Sequence, residues 1–262
     1  LLGMSYLTTS APPGVPQVLA TAGQRPPIVA SPVPLSSPSP PLATAAAPQL
    51  KAPPAAGPAL PQPIRYAAIG ASDTVGIGTA DPQHQNWTAR LWAHLPPDTV
   101  YNRFARSGIT LYEASQIELP AAIAFRPSLV SIWLVVNDAL RGVPLPVYQK
   151  ALKGMLDALT TQTDARIVLL NAPDLSGLLQ ASASPASRSQ IRAIGANWNR
   201  VIAATAAPYG DRVLIADLFV PSEQARAHID WISPDGFHPS AAGYQQIADV
   251  TYAALQKAGW VR

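Results

Sequence analysis

Residues 65–70 read Arg-Tyr-Ala-Ala-Ile-Gly, and residues 71–78 read Ala-Ser-Asp-Thr-Val-Gly-Ile-Gly. The first stretch is a short apolar run, and the second is a glycine-rich turn that bounds it, which is the pattern of a buried strand and the turn that follows. Similar apolar runs recur along the chain and alternate with segments of helical periodicity. The stretch therefore marks the first strand of an α/β domain.

Five strands are predicted, each a short run of apolar or β-branched residues: 65–70, 99–105, 129–136, 166–171 and 212–217. Helical periodicity predicts five helices in the remaining segments: 86–95, 111–125, 146–162, 185–207 and 239–258. Alternating strands and helices imply βαβ crossovers and a parallel sheet covered on both faces. The predicted fold is a three-layer α/β/α sandwich with a five-stranded parallel, flavodoxin-like sheet. In such sheets ligands bind beyond the carboxyl ends of the strands.

Residues 1–63 differ in composition from the rest of the chain. They hold 16 of the 29 prolines, and their only charged residues are Arg25 and Lys51. Such a segment cannot bury a core, and its Pro/Ala/Ser sequence is typical of an extended linker or a disordered tail. Its first seven residues resemble the end of a signal or anchor segment. We expect a linker or tail over residues 1–63, a globular domain over residues 64–262, and a location outside the cytoplasm, secreted or tethered to the cell envelope.

Charge and cysteine content exclude several classes of site. Residues 64–262 hold 16 Lys+Arg against 15 Asp+Glu, and the cations are scattered rather than clustered, so nucleic-acid binding is not expected. The lack of Cys excludes disulfides, thiolate metal sites and a cysteine nucleophile. The four His lack metal-ligand spacing, so no metal or cofactor is expected. Contact with a membrane is expected only through an N-terminal anchor.

Ser72 follows the first predicted strand on a glycine-flanked turn. The segment is not a P-loop, because no Gly-Lys-Ser/Thr follows, and Gly76 and Gly78 lack the third glycine of a dinucleotide fingerprint. It is also not the G-x-S-x-G nucleophile elbow, because Thr74 stands at the second glycine. From these residues alone, Ser72 is either the cap of a helix or a nucleophile.

Two further positions follow predicted strands. Gly108, after the second strand, allows a backbone N–H to face a ligand closely. Asn137, after the third strand, has a side-chain amide that can stabilise a developing oxyanion or cap the turn. The residues by themselves leave both alternatives open.

Asp235 and His238 give the strongest signal, because they lie three residues apart on a tight turn. The Asp235 carboxylate can accept the Nδ1–H of His238 and leave Nε2 free as a base. Pro239 fits the first position of the last helix, which predicts that His238 lies at or near its N-cap. The alternative is a His that only caps this helix. Asp217 and Asp230 are competing acids, but the spacing favours Asp235.

Together these segments resemble the SGNH, or GDSL, hydrolase superfamily over roughly residues 64–258. In that family a serine follows the first strand, a glycine and an asparagine complete the oxyanion hole, and an Asp-x-x-His pair precedes the last helix. The matching residues occur here in the same order: Ser72, Gly108, Asn137, Asp235 and His238.

The resemblance implies a serine esterase that hydrolyses carboxylic esters through an acyl-enzyme. It makes Ser72 the nucleophile, His238 the general base and Asp235 the acid that orients it. It also implies an oxyanion hole formed by the backbone N–H groups of Ser72 and Gly108 and the side chain of Asn137. The expected substrate is a small-molecule or glycan ester. Short acyl groups are expected, because no long apolar insertion resembles a lipid-binding lid.

Two residues depart from the family pattern. Ala71 replaces the Asp of Gly-Asp-Ser, and Val135 replaces the first Gly of Gly-x-Asn-Asp. Two alternatives to a short-chain esterase remain open, and the departures support the second of them. One is a lipase or lysophospholipase of the same family, and the other is a catalytically silent module that binds carbohydrate or attaches to the envelope. Trp231, seven residues before His238, is a candidate to line the substrate cleft.

Overall fold

A computed structural model of the chain describes residues 58–177, 185–223 and 227–262. The linker or tail predicted over residues 1–63 lies outside these ranges except for residues 58–63. Leu60, at the end of that predicted tail, is buried, and its N–H donates to the Trp260 carbonyl at 3.0 Å. Packing against the core therefore begins before Ile64.

The sheet has five parallel strands in the order β2-β1-β3-β4-β5, which confirms the predicted fold class. The strands are Arg65–Gly70 (β1), Val100–Ala105 (β2), Leu129–Trp133 (β3), Arg166–Leu170 (β4) and Val213–Ala216 (β5). β1 and β3 are buried almost throughout, which explains why both appear as uninterrupted apolar runs.

Helices cover both faces of the sheet. They are Ser72–Val75 (α1), Trp87–His94 (α2), Leu111–Ile117 (α3), Leu119–Ala124 (α4), Val136–Leu140 (α5), Leu145–Gln162 (α6), Pro185–Ala206 (α7), Phe219–Ser222 (α8) and Ala241–Lys257 (α9). On one side α2 packs against α9, and elsewhere α6 packs against both α3 and α7. None of the described helices is long and apolar enough to cross a membrane.

The predicted helix over residues 111–125 is wrong in one respect, because it is interrupted at Glu118. Pro120 lies in the first turn of α4, where a missing backbone N–H is tolerated. A continuous helix would require that N–H as an internal donor. The proline therefore divides the segment into α3 and α4.

The third predicted strand, over residues 129–136, is also wrong at its end. β3 stops at Trp133, which pairs with Gly70, the last residue of β1. Val135 has φ −139° and ψ −37°, which is not extended, and α5 begins at Val136. The apolar run continues because these residues stay buried beyond the strand, so hydrophobicity alone could not locate its end.

The strand order reverses next to β1, which lies between β2 and β3. Gly70 pairs with Ala105 of β2 and with Trp133 of β3, so the three strands end at one level. The turns that follow them carry Ser72, Gly108 and Asn137. The fold thus gathers these residues at the switch point, where ligands bind in open parallel sheets.

Candidate active site

Ser72 is the first residue of α1 and is 5% exposed. The N-cap of this helix is Ala71, which has no side-chain capping bond, so the interpretation of Ser72 as a helix cap is wrong. Ile77 N–H and Gly76 N–H both donate to the Ser72 carbonyl and close the turn. Within the described ranges no hydrogen bond involves the Ser72 hydroxyl. The turn therefore holds the backbone of Ser72 and leaves its hydroxyl available.

Asp235 and His238 form a hydrogen-bonded pair. His238 Nδ1 lies 2.7 Å from Asp235 Oδ2, as the spacing predicts. Asp235 Oδ1 accepts three further hydrogen bonds, from the Ser233 hydroxyl at 2.7 Å, the Phe237 N–H at 2.8 Å and the His238 N–H at 2.9 Å. Burial alone would raise the pKa of Asp235, but the hydrogen bonds from Ser233 and His238 outweigh it and hold the pKa well below its usual range. Asp235 is therefore a fixed anion that orients the imidazole.

His238 lies near the N-cap of the last helix, but Pro239 is not the first residue of that helix, which corrects the sequence-based prediction. α9 begins at Ala241, and Ser240 is its N-cap, with a hydroxyl that accepts from Gly243 N–H at 3.2 Å. The Ser233 N–H donates to the His238 carbonyl at 2.8 Å, and Pro239 forms an antiparallel bridge with Ile232. Because Pro239 pairs with another segment, the helix starts later than proline preference predicts.

Gly78 lies where the Ser72 turn meets the His238 turn. Its φ is +96°, and a Cβ there would lie 2.7 Å from the Pro239 carbonyl oxygen and 3.0 Å from the His238 Cβ. A second contact joins the same two regions, because the Tyr244 hydroxyl of α9 donates to the Ile77 carbonyl at 2.7 Å. The two turns therefore pack together, although no hydrogen bond joins the Ser72 hydroxyl to His238 within the described part of the chain.

Asn137 lies in α5 rather than at the end of a strand, and its side chain contacts the loop after β2. Asn137 Nδ2 donates to the Ile109 carbonyl at 2.9 Å. Gly108, with φ +78°, precedes Ile109 in this loop, and its carbonyl accepts from Arg141 Nη2 at 2.5 Å. Asn137 lies in α5 and Arg141 is the C-cap of α5, and both thus hold the loop that carries Gly108. One Asn137 amide hydrogen is used in this way, and the other remains for a ligand.

Asp138 strengthens the same connection. Its buried carboxyl accepts from the Leu111 N–H at 2.9 Å, at the start of α3. Burial raises the pKa of Asp138 to about 6, although the bond from Leu111 favours the charged form. The Asn-Asp sequence therefore joins α5 to the loop and helix after β2 through two successive side chains.

Two cavities open beside these residues. The larger is a cleft of about 730 Å³, including its open mouth, and its walls are mostly apolar. Its lining includes Trp133, Leu175, Leu218, Trp231, Phe237 and Ile247. The prediction that Trp231 lines the cleft is thus confirmed. The smaller cavity, about 210 Å³, is lined by residues that include Ala71, Ile109, Val135 and Asn137.

Asp73 lies at the junction of the two cavities, and only Asp73, Trp133 and Val136 line both among the described residues. Burial raises the pKa of Asp73 to about 6, His238 opposes the shift, and Asp235 adds to it. Its own backbone N–H donates to the carboxyl group, and no hydrogen bond or ion pair from another described residue reaches it. Asp73 is therefore an acid without a partner from another described residue, next to Ser72 and at the edge of the apolar cleft.

The competing acids have other contacts. Asp217 Oδ1 accepts from Asn171 Nδ2 at 2.7 Å and from Phe219 N–H at 2.9 Å, so it fixes the end of β5. Asp230 is exposed, and its carboxylate lies 3.8 Å from His228. The described residues include no group of three or more side chains that could hold a metal ion.

Sequence reasoning missed Ser233, Gly78, Arg141 and Asp73. Ser233 donates to Asp235 across a turn, and Arg141 donates to Gly108, which is distant in the chain. No periodicity in the sequence therefore marks either residue. The only sequence signal at Gly78 is its place in an incomplete dinucleotide-binding motif. For Asp73 a signal was present, since an acidic residue directly after a candidate nucleophile at a buried strand end is unusual in an apolar setting.

The chain belongs to the GDSL-like Lipase/Acylhydrolase family, whose model matches residues 68–246. It is therefore an ester hydrolase. No curated protein matches the sequence.

Several solved structures share the fold. TesA is 23% identical, with 74% of this chain and 99% of that chain covered and a TM-score of 0.60. An extracellular lipase from Streptomyces rimosus is 21% identical, covering 73% and 99% of the two chains, with a TM-score of 0.57. A catalytic mutant of Axe2, an acetylxylan esterase from Geobacillus stearothermophilus, is 20% identical, covering 76% and 97%, with a TM-score of 0.57. At these identities the similarity shows the fold alone.

Proposed function

We propose that the protein hydrolyses carboxylic esters through a Ser-His-Asp mechanism with an acyl-enzyme intermediate. Ser72 Oγ attacks the ester carbonyl carbon while His238 Nε2 takes its proton. The protonated His238 then gives this proton to the leaving alcohol, and a water molecule activated by His238 releases the acid. Asp235 keeps the imidazole in the required tautomer and stabilises its charged form.

The observation that carries this proposal is the fixed Asp235–His238 pair beside the Ser72 turn. Four hydrogen bonds hold Asp235, and Gly78 provides the close packing between the two turns. A negative charge on the carbonyl oxygen would be stabilised by the backbone N–H groups of Ser72 and Gly108 and by the second amide hydrogen of Asn137.

The cleft supports a longer acyl group than the sequence analysis expected. The short-chain expectation depended on the lack of a lid-like insertion, whereas the cleft has aromatic and aliphatic walls, which include Phe237 and Pro239, the two chain neighbours of His238. Each buried methylene group contributes about 0.8 kcal/mol. We therefore propose that the acyl chain occupies this cleft and that chains longer than acetate are preferred.

The test uses p-nitrophenyl esters from acetate to palmitate. We expect kcat/KM for hexanoate or octanoate to exceed that for acetate by about tenfold or more, since partial burial of a few methylene groups suffices. Ser72→Ala should abolish turnover of every ester, whereas Ser115→Ala, on the exposed surface of α3, should not affect it. Highest activity on acetate would refute the acyl assignment, and activity retained by Ser72→Ala would refute the mechanism.

We also propose that the enzyme works outside the cytoplasm and reaches its substrate on the linker predicted over residues 1–63. The Pro/Ala/Ser composition of this segment supports that role, because such sequences are extended and act as spacers. Fractionation of cells that express the full chain tests this, and activity confined to the cytoplasm would contradict it.

A further inference from the structure

Asp73 is a charged or protonatable group that the proposed mechanism does not use. Its side chain is partly buried and faces both the cleft and the smaller cavity. A carboxylate has two oxygens and can accept several hydrogen bonds. Among the described residues only the backbone N–H of Asp73 itself donates to this carboxyl, so a group that enters the cavities meets an acceptor with free capacity.

The position of Asp73 indicates which part of a substrate would reach it. Asp73 follows Ser72 directly in the chain, and it lines the cleft together with Phe237 and Pro239, the two chain neighbours of His238. In the proposed mechanism His238 hands its proton to the leaving alcohol. The alcohol part of the ester therefore passes next to Asp73, while the acyl chain occupies the apolar cleft.

A second polar group lies at the same junction and has no hydrogen-bond partner. Trp133 is 4% exposed and lines both cavities, and its indole N–H has no acceptor in the described structure. The junction thus combines an acidic acceptor with an unsatisfied donor, although the walls around them are apolar. An alkyl group placed there would offer neither of them a hydrogen bond, whereas a hydroxyl group would donate to Asp73.

On the basis of the proposed function, we infer that Asp73 is a specificity-determining residue whose carboxyl group accepts a hydrogen bond from a free hydroxyl on the alcohol part of the ester. The substrate class is thus a partly acylated polyol, in which a free hydroxyl lies next to the scissile ester. A partly acylated glycerol and a partly acylated sugar both have this chemistry.

The test compares two esters of one acid that differ only in the alcohol, 2-hydroxyethyl octanoate and n-propyl octanoate. They have nearly the same size, and a hydroxyl group in one replaces a methyl group in the other. We expect the wild-type enzyme to prefer the hydroxyethyl ester in kcat/KM by about tenfold or more, as for a hydrogen bond to a charged group. Asp73→Leu should remove the preference, so that the ratio of the two kcat/KM values falls to about one.

Two further variants control for folding and for charge. If Asp73→Leu folds poorly, Asp73→Asn takes its place in the comparison. Asp73→Asn keeps the size of the side chain and an acceptor oxygen, so we expect it to show an intermediate preference. Asp230→Asn removes an exposed carboxylate on the turn that leads to the His238 loop, outside the cleft lining, and should leave the preference at the wild-type value.

The pH dependence of the preference gives a separate readout. The titratable groups that act on Asp73 from the neighbouring elements are His238, Asp235 and Tyr244. A change that affects both esters equally cancels in the ratio of their kcat/KM values. Because an ionised carboxylate accepts more strongly than a neutral acid, the wild-type preference should fall between about pH 8 and pH 5. In Asp73→Asn it should stay constant.

The outcomes separate the two proposals. Equal kcat/KM for the two esters in the wild type, or a preference that Asp73→Leu leaves unchanged, would refute the role of Asp73 while the serine mechanism stands. Lack of turnover of both esters by the wild-type enzyme would refute the proposed function and the role of Asp73 with it. Glycerol and sugar octanoates, assayed with the same variants, then distinguish the two sources of the hydroxyl group.

Discussion

The chain contains two Asp-x-x-His turns with nearly the same local geometry. In Asp81-Pro-Gln-His84, His84 Nδ1 lies 2.8 Å from Asp81 Oδ2, and Asp81 Oδ1 accepts from the N–H groups of Gln83 and His84. In Asp235-Gly-Phe-His238 the corresponding distance is 2.7 Å, and Oδ1 accepts from the same two positions of the turn. The carboxylate–imidazole bond is thus a local property of this sequence pattern.

The two turns differ in their surroundings. The His84 side chain is 79% exposed, whereas the His238 side chain is 17% exposed and lies against Gly78. Asp235 also accepts a hydrogen bond from Ser233, whereas Asp81 has no such third donor in the described structure. The carboxylate–imidazole pair can therefore form anywhere that the turn forms, whereas the proposed mechanism also requires a nucleophile and an oxyanion site beside it.

The largest expected effect separates the two histidines. His238→Ala should lower kcat on the order of 10⁴-fold or more, and the double variant with Ser72→Ala should be scarcely worse, because members of a catalytic unit are not additive. His84→Ala should retain wild-type kcat and KM. Ester hydrolysis by the purified variants measures this. A large loss in the His84 variant, or multiplying losses in the double variant, would contradict the distinction.

Substitutions of the two carboxylates, Asp235 and Asp81, should also have different effects on kcat, by a smaller factor than those of the two histidines. Asp235→Asn keeps the size of the side chain but removes the charge that holds the imidazole tautomer, so we expect a loss in kcat of about 10²- to 10⁴-fold. Asp81→Asn, the matched change in the exposed turn, should have no effect on kcat. Comparable losses in Asp217→Asn would instead assign the role of the acid to the end of β5.

The proposed oxyanion site distinguishes the surroundings of the His238 turn from those of the exposed His84 turn, and Asn137→Ala tests it. If the second amide hydrogen of Asn137 stabilises the oxyanion, kcat should fall by about 10²- to 10³-fold with little change in KM. Loss of the bond to the Ile109 carbonyl should also destabilise the fold by about 1 kcal/mol. Thermal unfolding of the same variant measures the second effect. Lower stability with kcat within a few fold of wild type would leave only a structural role.

The smallest expected effect concerns stability, where the two turns should behave alike. The hydrogen bond from His84 holds the pKa of Asp81 below its ordinary value, and the pKa of Asp235 is also lowered. A depressed carboxyl pKa stabilises the folded state above the unfolded pKa of about 4, and this stabilisation is lost as the pH falls. Asp81→Asn and Asp235→Asn should each lower Tm by a few degrees at most at neutral pH. Both differences should shrink below about pH 4, and a pH-independent Tm difference would show that charge is not its source.

Much of the fold can be predicted from the sequence because strands that are buried on both faces of the sheet appear as uninterrupted apolar runs. The runs over β1, β4 and β5 predict their strands to within one residue at each end, since turn residues bound them closely. β3 is different, because its apolar run continues into buried residues that are no longer extended. At Pro120 the prediction was wrong in a helix. The proline fits the first turn of α4, so the segment predicted as one helix forms two.

The sequence by itself determined the order of strands and helices, the composition break near residue 63 and the Asp235–His238 turn, because hydrophobic periodicity and turn chemistry act over a few neighbouring residues. Only the tertiary structure decided which of two similar turns packs against the segment that follows Ser72, that Asn137 contacts the loop carrying Gly108, and that Asp73 lies between two cavities. These contacts join segments distant in the chain, and their geometry depends on strand order and packing rather than on any local pattern.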